Sequence, residues 1–429
     1  MSSYKLLLAD PKGRVVEHPW LLATVRSDES ILPAPARPLP LPKNAKLAHL
    51  PGRLPVGLDP ETGELVLVKE FELDGQRFRP NAVGAVMPPG YTRTYLPGEV
   101  KADGPVLPQW AYTAAAWGPK GPVVWALHTD RRTHWDPATY NTPDMKKLVK
   151  AHQARFPGNQ VLKQLEVCAL VYRCFTSQNV FYSRDEGGIP ASVMCNARCV
   201  GCISDQPDDG PPASHERQDH GPTAEEMADI GVWHLEHAPG RTMISYGQGC
   251  EGEPLTRWKA IADSIRLIRA RTQKGSININ TNASLTRGLA ALYDAGLDAV
   301  RVSLNSAVKD LYEAYYQPVK YGWEDVEASI ALSRERGAYL ALNLLLFPGV
   351  TDRRGEVDAL LRLVKKYRVD QIQTRPLAID PVQYIETARG RGAGGEPMGV
   401  GPMLQHLKAK APWLVIGNFA RGLGERRKK

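Results

Sequence analysis

From Gly187 onward the chain alternates strand-like and helix-like segments with a regularity that few folds accommodate. The apolar runs GIPASVM, TMISY, SININ, AVRVSL, YLALNLLL and VDQIQTR are separated by PTAEEMADIGVWHLEH, PLTRWKAIADSIRLIRARTQ, SLTRGLAALYDAG, WEDVEASIALSRERG and RRGEVDALLRLVKKYR. About six βα units within roughly 200 residues predict an α/β fold built on a parallel sheet. The expected form is a partial (β/α)6 barrel.

The sequence before Gly187 has a different texture. Up to about Tyr140 it is short-period and rich in turns, and segments such as GELVLVKEFELDG alternate apolar and polar residues as strands do. Seven prolines fall between Pro33 and Pro55, which forbids a helix or an inner strand there and predicts an extended surface path. A β-rich N-terminal accessory domain is therefore expected over residues 1–141. A helical linker follows over 142–186, with Thr142 as cap and Pro143 in the first turn of its first helix. Cys168 and Cys174 lie in its apolar stretch VLKQLEVCALVYRCF, where structural burial is the plain reading. The parallel sheet takes 187–380, and 381–429 forms a short C-terminal extension with a basic tail.

Composition narrows the function classes. Hydrophobic residues make up 43% and charged residues 23%, which supports a packed core and excludes wholesale disorder. No apolar run reaches membrane-spanning length, and the opening MSSYKLLLADPKG breaks at Asp10 and Pro11, unlike a signal peptide. A soluble, cytoplasmic protein without a membrane partner is expected. The net charge is +8, half of it in the last nine residues, RGLGERRKK. The body is close to balance, so nucleic acid is not the favoured partner, and the tail reads as a solvated end.

Six cysteines stand at 168, 174, 195, 199, 202 and 250. A cytosolic chain of this size does not need disulfide staples. Cys195, Cys199 and Cys202 fall together in MCNARCVGCISD with CxxxCxxC spacing, and such clustering points to metal. Iron–sulfur clusters are held by thiolates, and three ligands leave one iron of a four-iron cluster open. That open iron can chelate an amino acid through its amino and carboxylate groups. The alternative is zinc, with a fourth ligand from Cys250, His215 or His220.

The cysteine loop, followed one strand later by SYGQGCEGEPL, resembles the radical S-adenosylmethionine (SAM) superfamily over about Gly187 to Asp380. The resemblance implies a [4Fe–4S] cluster on Cys195, Cys199 and Cys202, with SAM on the open iron. It further implies reductive cleavage of SAM to methionine and a 5′-deoxyadenosyl radical that abstracts hydrogen from a substrate. An electron donor such as flavodoxin or ferredoxin would supply the electron. Glu251-Gly252-Glu253-Pro254 is similar to the family's Gly-Gly-Glu-Pro motif, with Glu251 replacing the first glycine. The match assigns Gly252, Glu253 and Pro254 to the SAM ammonium; the plainer reading is a strand-to-helix turn opened by Pro254.

Further candidates sit at the ends of the later strands. They are Asn280 and Asn282 in NINTNAS, Ser303 and Asn305 in VRVSLNSA, Asn343 in ALNLLLFPGVTD, and Arg375 in QTRPLAID, able to meet a carboxylate. Singly, each reads as turn or cap chemistry. Together they share the C-terminal edge of a parallel sheet, where α/β sites are built. Two positions depart from the family pattern. Gly201 stands where an aromatic residue commonly stacks near adenine, and the fifth strand lacks the glycine-containing adenine motif, so either the adenine contact comes from elsewhere or the cysteine loop is tighter.

Cys250 is the candidate hydrogen donor to a substrate radical, against its plainer reading as a small loop residue. His234 and His237 end the first helix of the sheet region, where a cation or polar cap suits the helix dipole. His128 and His134 read as surface. The polar segment 204–221 is longer than its connection needs and reads as a lid or a mobile excursion. The leading function is a radical SAM enzyme acting on an unknown substrate. The alternatives are a radical SAM enzyme modifying RNA or protein, with residues 1–141 for docking, and a non-catalytic zinc- or iron-stabilised binding protein.

Overall fold

The computed structural model describes residues 4–208, 210–249 and 251–423, and the fold is mixed α/β. Its parallel sheet comprises β1 (Glu186–Ile189), β2 (Met243–Tyr246), β3 (Ser276–Thr281), β4 (Ala299–Leu304), β5 (Tyr339–Leu346), β6 (Gln371–Pro376) and β7 (Val415–Gly417). The strands lie in sequence order and each pairs in parallel with the next. GIPASVM yields only the short β1, because Pro190 has no N–H to continue the ladder. The seventh strand is an addition to the six predicted. It lies within the segment assigned to a C-terminal extension, and three residues are too few to show a period.

A parallel sheet covered on both faces normally has apolar residues on both. Here only one face follows that rule. Ile277, Ile279, Val300, Val302, Leu340, Leu342 and Ile372 are fully buried. The residues alternating with them are Asn278, Asn280, Arg301, Ser303, Asn343, Gln373 and Arg375, with Glu186 and Ser245 on β1 and β2. A row of polar side chains inside a sheet means that the face looks onto something other than hydrocarbon.

The helices between strands follow local signals. Ala224–His237 starts at a capping box in which Thr223 accepts from Glu226 N at 3.2 Å and Glu226 accepts from Thr223 N at 2.8 Å. His234 on this helix is a core residue rather than a cationic cap. It is fully buried, contacts Asp185 O through Nε2 at 3.2 Å, and burial holds its imidazole down to about 4. Thr142 is likewise not the cap expected of it. Helix Met145–Arg155 starts from Asp144, and the Thr142 hydroxyl instead meets the Tyr182 hydroxyl at 2.6 Å.

Residues 5–124 carry a twelve-stranded antiparallel sheet, whose longest strand is Val15–Ser27. The proline-rich stretch enters this sheet rather than only crossing the surface. Leu39–Pro40 lies at its edge, but Arg53–Leu58 runs through Pro55 with neighbours on both sides. Pro55 is tolerated because its carbonyl accepts from Val68 N at 3.0 Å and no N–H is required of it. The antiparallel half, including the separate two-stranded ribbon of Tyr91–Arg93 and Ala126–His128, meets the parallel half through side chains. The Thr92 and Thr374 hydroxyls are 2.7 Å apart, Arg93 donates to Leu377 O at 2.7 Å, and buried Arg53 pairs with Asp380. Among the described residues, no helix is long and apolar enough to cross a membrane.

Candidate active site

The polar face of the sheet opens into a cavity of about 710 Å³. Cys195, Cys199 and Cys202 line it, with Gly252, Glu253, Pro254, Asn280, Asn282, Ser303, Asn343 and Arg375. Residues from three separate loops and four strands are thus brought to one space. Asn305 is the exception among the described candidates. It turns away, donating to Leu311 O at 3.1 Å and to the Tyr384 hydroxyl at 3.2 Å beneath the sheet's rim. Cys250 lies outside the described residues.

The cysteine loop is held from two directions. On one side Arg198 N and Val200 N donate to Tyr316 O and Tyr315 O at 3.0 and 2.9 Å, at the end of helix Lys309–Tyr316. On the other, Gly252 N donates to Ser192 O at 3.0 Å and Glu253 N to Met194 O at 2.8 Å. This contact explains Gly252: a Cβ there would lie 1.9 Å from Met194 O. The replacement of glycine by Glu251 gains a function in the same seam. Its carboxyl accepts from Ala191 N, Ser192 N and Gln248 N at 2.6–2.7 Å. Burial nevertheless pushes that carboxyl up to about 8. Glu253 accepts from Leu255 N at 3.0 Å, from Asn282 N at 2.8 Å and from the Thr281 hydroxyl, and burial pushes it up to about 7.

Asparagines complete the floor. Asn282 donates to Asn196 Oδ1 at 2.9 Å, and Asn196 donates to Ser284 Oγ at 2.9 Å. Asn280 reaches Gly247 O at 2.7 Å and accepts from Asn278 at 3.1 Å. Gly201 finds its reason in packing, since a Cβ there would meet the Tyr315 hydroxyl at 3.0 Å. Neighbouring Tyr316 lines the cavity, and its buried hydroxyl has no hydrogen-bond partner.

The three thiols feel one another. Burial first, then the charges of Cys202 and Cys195, push the Cys199 thiol well above its ordinary range. Three thiols that raise one another in this way ionise together only around a cationic centre, which a four-iron cluster with three protein ligands would supply. The donor set fits that group. Around it, Gln109 of the antiparallel half donates to Cys202 O at 2.8 Å, and Arg217 lies 3.9 Å from Cys202 Sγ. Segment 204–221, expected to be mobile, is fastened where it is described: His215 N donates to Ile203 O at 3.0 Å, Glu216 N to the Tyr172 hydroxyl at 2.9 Å, and Arg217 pairs with Asp205 at 3.1 Å. His215 lines the cavity, whereas His220 is exposed beside Asp219. Among the described residues, no three His, Cys, Asp or Glu side chains are gathered as ligands of a single metal ion.

Several lining residues lay outside the sequence candidates. Glu186, Arg301, Trp135, Phe175 and Phe419 come from distant segments and carry no local motif. Cys168 and Cys174 also reach the cavity wall. Only the polar alternation of β1 to β6 signalled that this face was special.

A strand-ordered parallel sheet with a three-cysteine loop after its first strand defines a cofactor-dependent enzyme site at the sheet's edge. Residues 189–364 match the family described as the Radical SAM superfamily, so the chain carries a radical SAM domain; it is an enzyme, and the cofactors of that family are a [4Fe–4S] cluster and SAM. It is similar to GTP 3′,8-cyclase of Crocosphaera subtropica, 27% identical over 176 residues, which are 40% of this chain and 51% of that protein. It is also similar to Molybdenum cofactor biosynthesis protein 1 of Drosophila melanogaster, 29% identical over 159 residues, 37% of this chain and 26% of that one. The chain thus spans about half or less of these curated relatives. Among solved structures, a radical SAM methyltransferase from Sphaerobacter thermophilus aligns at 17% identity and TM-score 0.35, covering 56% of this chain and 67% of that one. SuiB of Streptococcus suis bound to S-adenosylmethionine aligns at 12% identity and TM-score 0.40, covering 65% and 67%.

Proposed function

We propose that this chain cleaves SAM reductively and directs the resulting radical at a substrate held in the cavity. When bound, the cluster and SAM supply the electron-transfer and hydrogen-abstraction chemistry. The observation that carries the reading is the convergence of Cys195, Cys199 and Cys202 with the Glu251–Pro254 loop on one cavity.

The chain's own residues bind and orient. The three thiolates hold the iron. Arg217 and the amides of the cysteine loop offset their charge. Glu253 and the backbone of Gly252 and Pro254 offer acceptors to the SAM ammonium, and Asn280, Asn282, Ser303 and Asn343 offer hydrogen bonds to its polar groups. The Tyr315–Tyr316 pair takes the aromatic place that Gly201 leaves empty. The parallel sheet is the partial barrel, with residues 1–141 as an accessory wall that contributes Gln109. The electron donor is a flavodoxin or ferredoxin, and Cys250 is the candidate hydrogen donor.

Anaerobic reconstitution tests this reading. The expected product is a brown protein with about four irons and four sulfides per chain. With a strong reductant it releases 5′-deoxyadenosine and methionine from SAM. A colourless protein holding one zinc would overturn the proposal.

A further inference from the structure

Beyond the cysteine loop, the cavity holds charge that its own walls do not balance. Glu186, at the start of β1, accepts from Arg301 at 3.1 Å and from the Ser245 hydroxyl at 2.5 Å. Burial pushes its carboxyl up, but Arg301, the Ser245 hydroxyl and then Arg375 outweigh it and hold the group below the ordinary range. Arg301 is 6% exposed, and its Nε has no hydrogen-bond partner. Arg375 contacts only neutral amides, Asn343 Oδ1 at 3.3 Å and Gln373 Oε1 at 3.0 Å, and among the described residues it has no ion-pair partner. The buried amide nitrogen of Gln373 is also unpaired. Two guanidiniums therefore face one carboxylate. Asp130 does not settle the balance, since it accepts from Asn418 N and Phe419 N and lies 4.0 Å from Arg132 and 3.7 Å from Arg421.

An unbalanced cation removed from water is costly unless an anion joins it. Of the other lining carboxyls, Glu251 is committed to three backbone donors, and Glu253, held by Leu255 N, Asn282 N and the Thr281 hydroxyl, is the one proposed for the SAM ammonium. The same cavity has an aromatic wall in which Trp135 and Phe419 stack at 5.0 Å, with Phe175 beside them.

We propose that Arg301 and Arg375 receive the anionic group of the substrate, a carboxylate or phosphate, with its apolar body against Trp135, Phe175 and Phe419. The substrate class is a small organic anion. This deepens the proposed SAM chemistry and rests on it for the role of the site. It assigns Arg375 to the substrate and not to the SAM carboxylate. A guanidinium suits the task because its planar fork matches both oxyanions.

The test is calorimetric titration of the full chain, cluster-loaded and SAM-saturated under anaerobic conditions, with phenyl phosphate, benzoate and the neutral benzamide. At least one anion is expected to bind tenfold or more tighter than benzamide, and the stronger of the two identifies phosphate or carboxylate. Arg375→Gln is expected to lose that advantage at least tenfold. Arg301→Lys, which keeps a cation beside Glu186, is expected to weaken it by a smaller factor with the fold intact by circular dichroism. Equal binding of benzamide, or an unaltered anion isotherm in Arg375→Gln, would overturn the proposal. So would a loss of SAM affinity in that variant as large as its loss of anion affinity, since the arginine would then serve SAM. Repeating the anion titration on cluster-free protein separates the two readings. Absent iron refutes the proposed function while the anion isotherm still reports on the arginines.

Discussion

In the antiparallel half, buried Arg53 and Arg93 reach out of their sheet and terminate on the other half, at Asp380 and Leu377 O. In the parallel half, Arg301 and half-buried Arg375 line a cavity; Arg301 shares Glu186, and Arg375 meets only neutral amides. The same residue type thus serves as a fastening in one region and as an open valence in the other. What separates them is where the guanidinium ends: on an acceptor of the other half for Arg53 and Arg93, and on the wall of the cavity for Arg301 and Arg375. Removing a fastening registers in folding stability, whereas removing an open valence registers in ligand binding.

The sharpest way to break this division lies at the cysteines. Cys195→Ala, Cys199→Ala and Cys202→Ala each take bound iron from about four per chain to near zero, by iron and sulfide analysis. Cys168→Ala, in helix Gln160–Leu170, keeps it. Iron surviving in Cys199→Ala would remove the parallel half's claim to the chemistry. Next in size is the fastening. Arg53→Ala leaves Asp380 buried beside Leu107 N at 2.9 Å and is expected to cost about 3–5 kcal/mol in denaturant unfolding. A loss under about 1 kcal/mol would mean that the Arg53–Asp380 pair is not a fastening between the two halves.

A pH measurement places a smaller effect within the parallel half. His234 is held at about 4 when folded, against an ordinary 6.5, so the unfolded chain takes up its proton first as pH falls. This contribution is fully present above pH 6.5 and is lost as pH falls through about 4, and it amounts to about 3 kcal/mol. His234→Gln is expected to flatten that part of the stability profile, read as urea midpoints at pH 7 and 4.5. An unchanged slope would show that the imidazole does not stay neutral in the folded chain. The smallest effect is at the Thr92–Thr374 hydroxyl contact, where Thr92→Val is expected to cost about 1 kcal/mol and Thr92→Ser much less. A loss in Thr92→Ser with none in Thr92→Val would trace the effect to the methyl group and not the hydroxyl.

Much of the parallel region was legible because its signals are local. SININ, AVRVSL and YLALNLLL fall within β3, β4 and β5, and the cysteine spacing identified the loop without any fold. His234 was misread because helix position suggests exposure, whereas its burial depends on packing against Gly187, where an added Cβ would meet the ring at 2.9 Å. Asn305 was misplaced for the opposite reason. It follows β4 in a motif that looks like Ser303's, but the chain turns there and sends its amide to Leu311 O and the Tyr384 hydroxyl. Glu186, Arg301 and Trp135 were silent in sequence, since their role exists only once residues more than a hundred positions apart share a space. The antiparallel half showed its alternation but not its pairing, because Pro55 in an inner strand is allowed by one neighbouring carbonyl contact that no local rule anticipates.

The seam between residues 191–194 and 251–253 has a consequence for maturation. Because Glu251, Gly252 and Glu253 are stitched to Ala191, Ser192 and Met194, the metal-bearing loop and the loop proposed for SAM do not order independently. If the three cysteines hold the cluster and this loop holds SAM, as proposed above, iron delivery and SAM binding are expected to be linked, so that cluster-loaded protein binds SAM more tightly than cluster-free protein in titration.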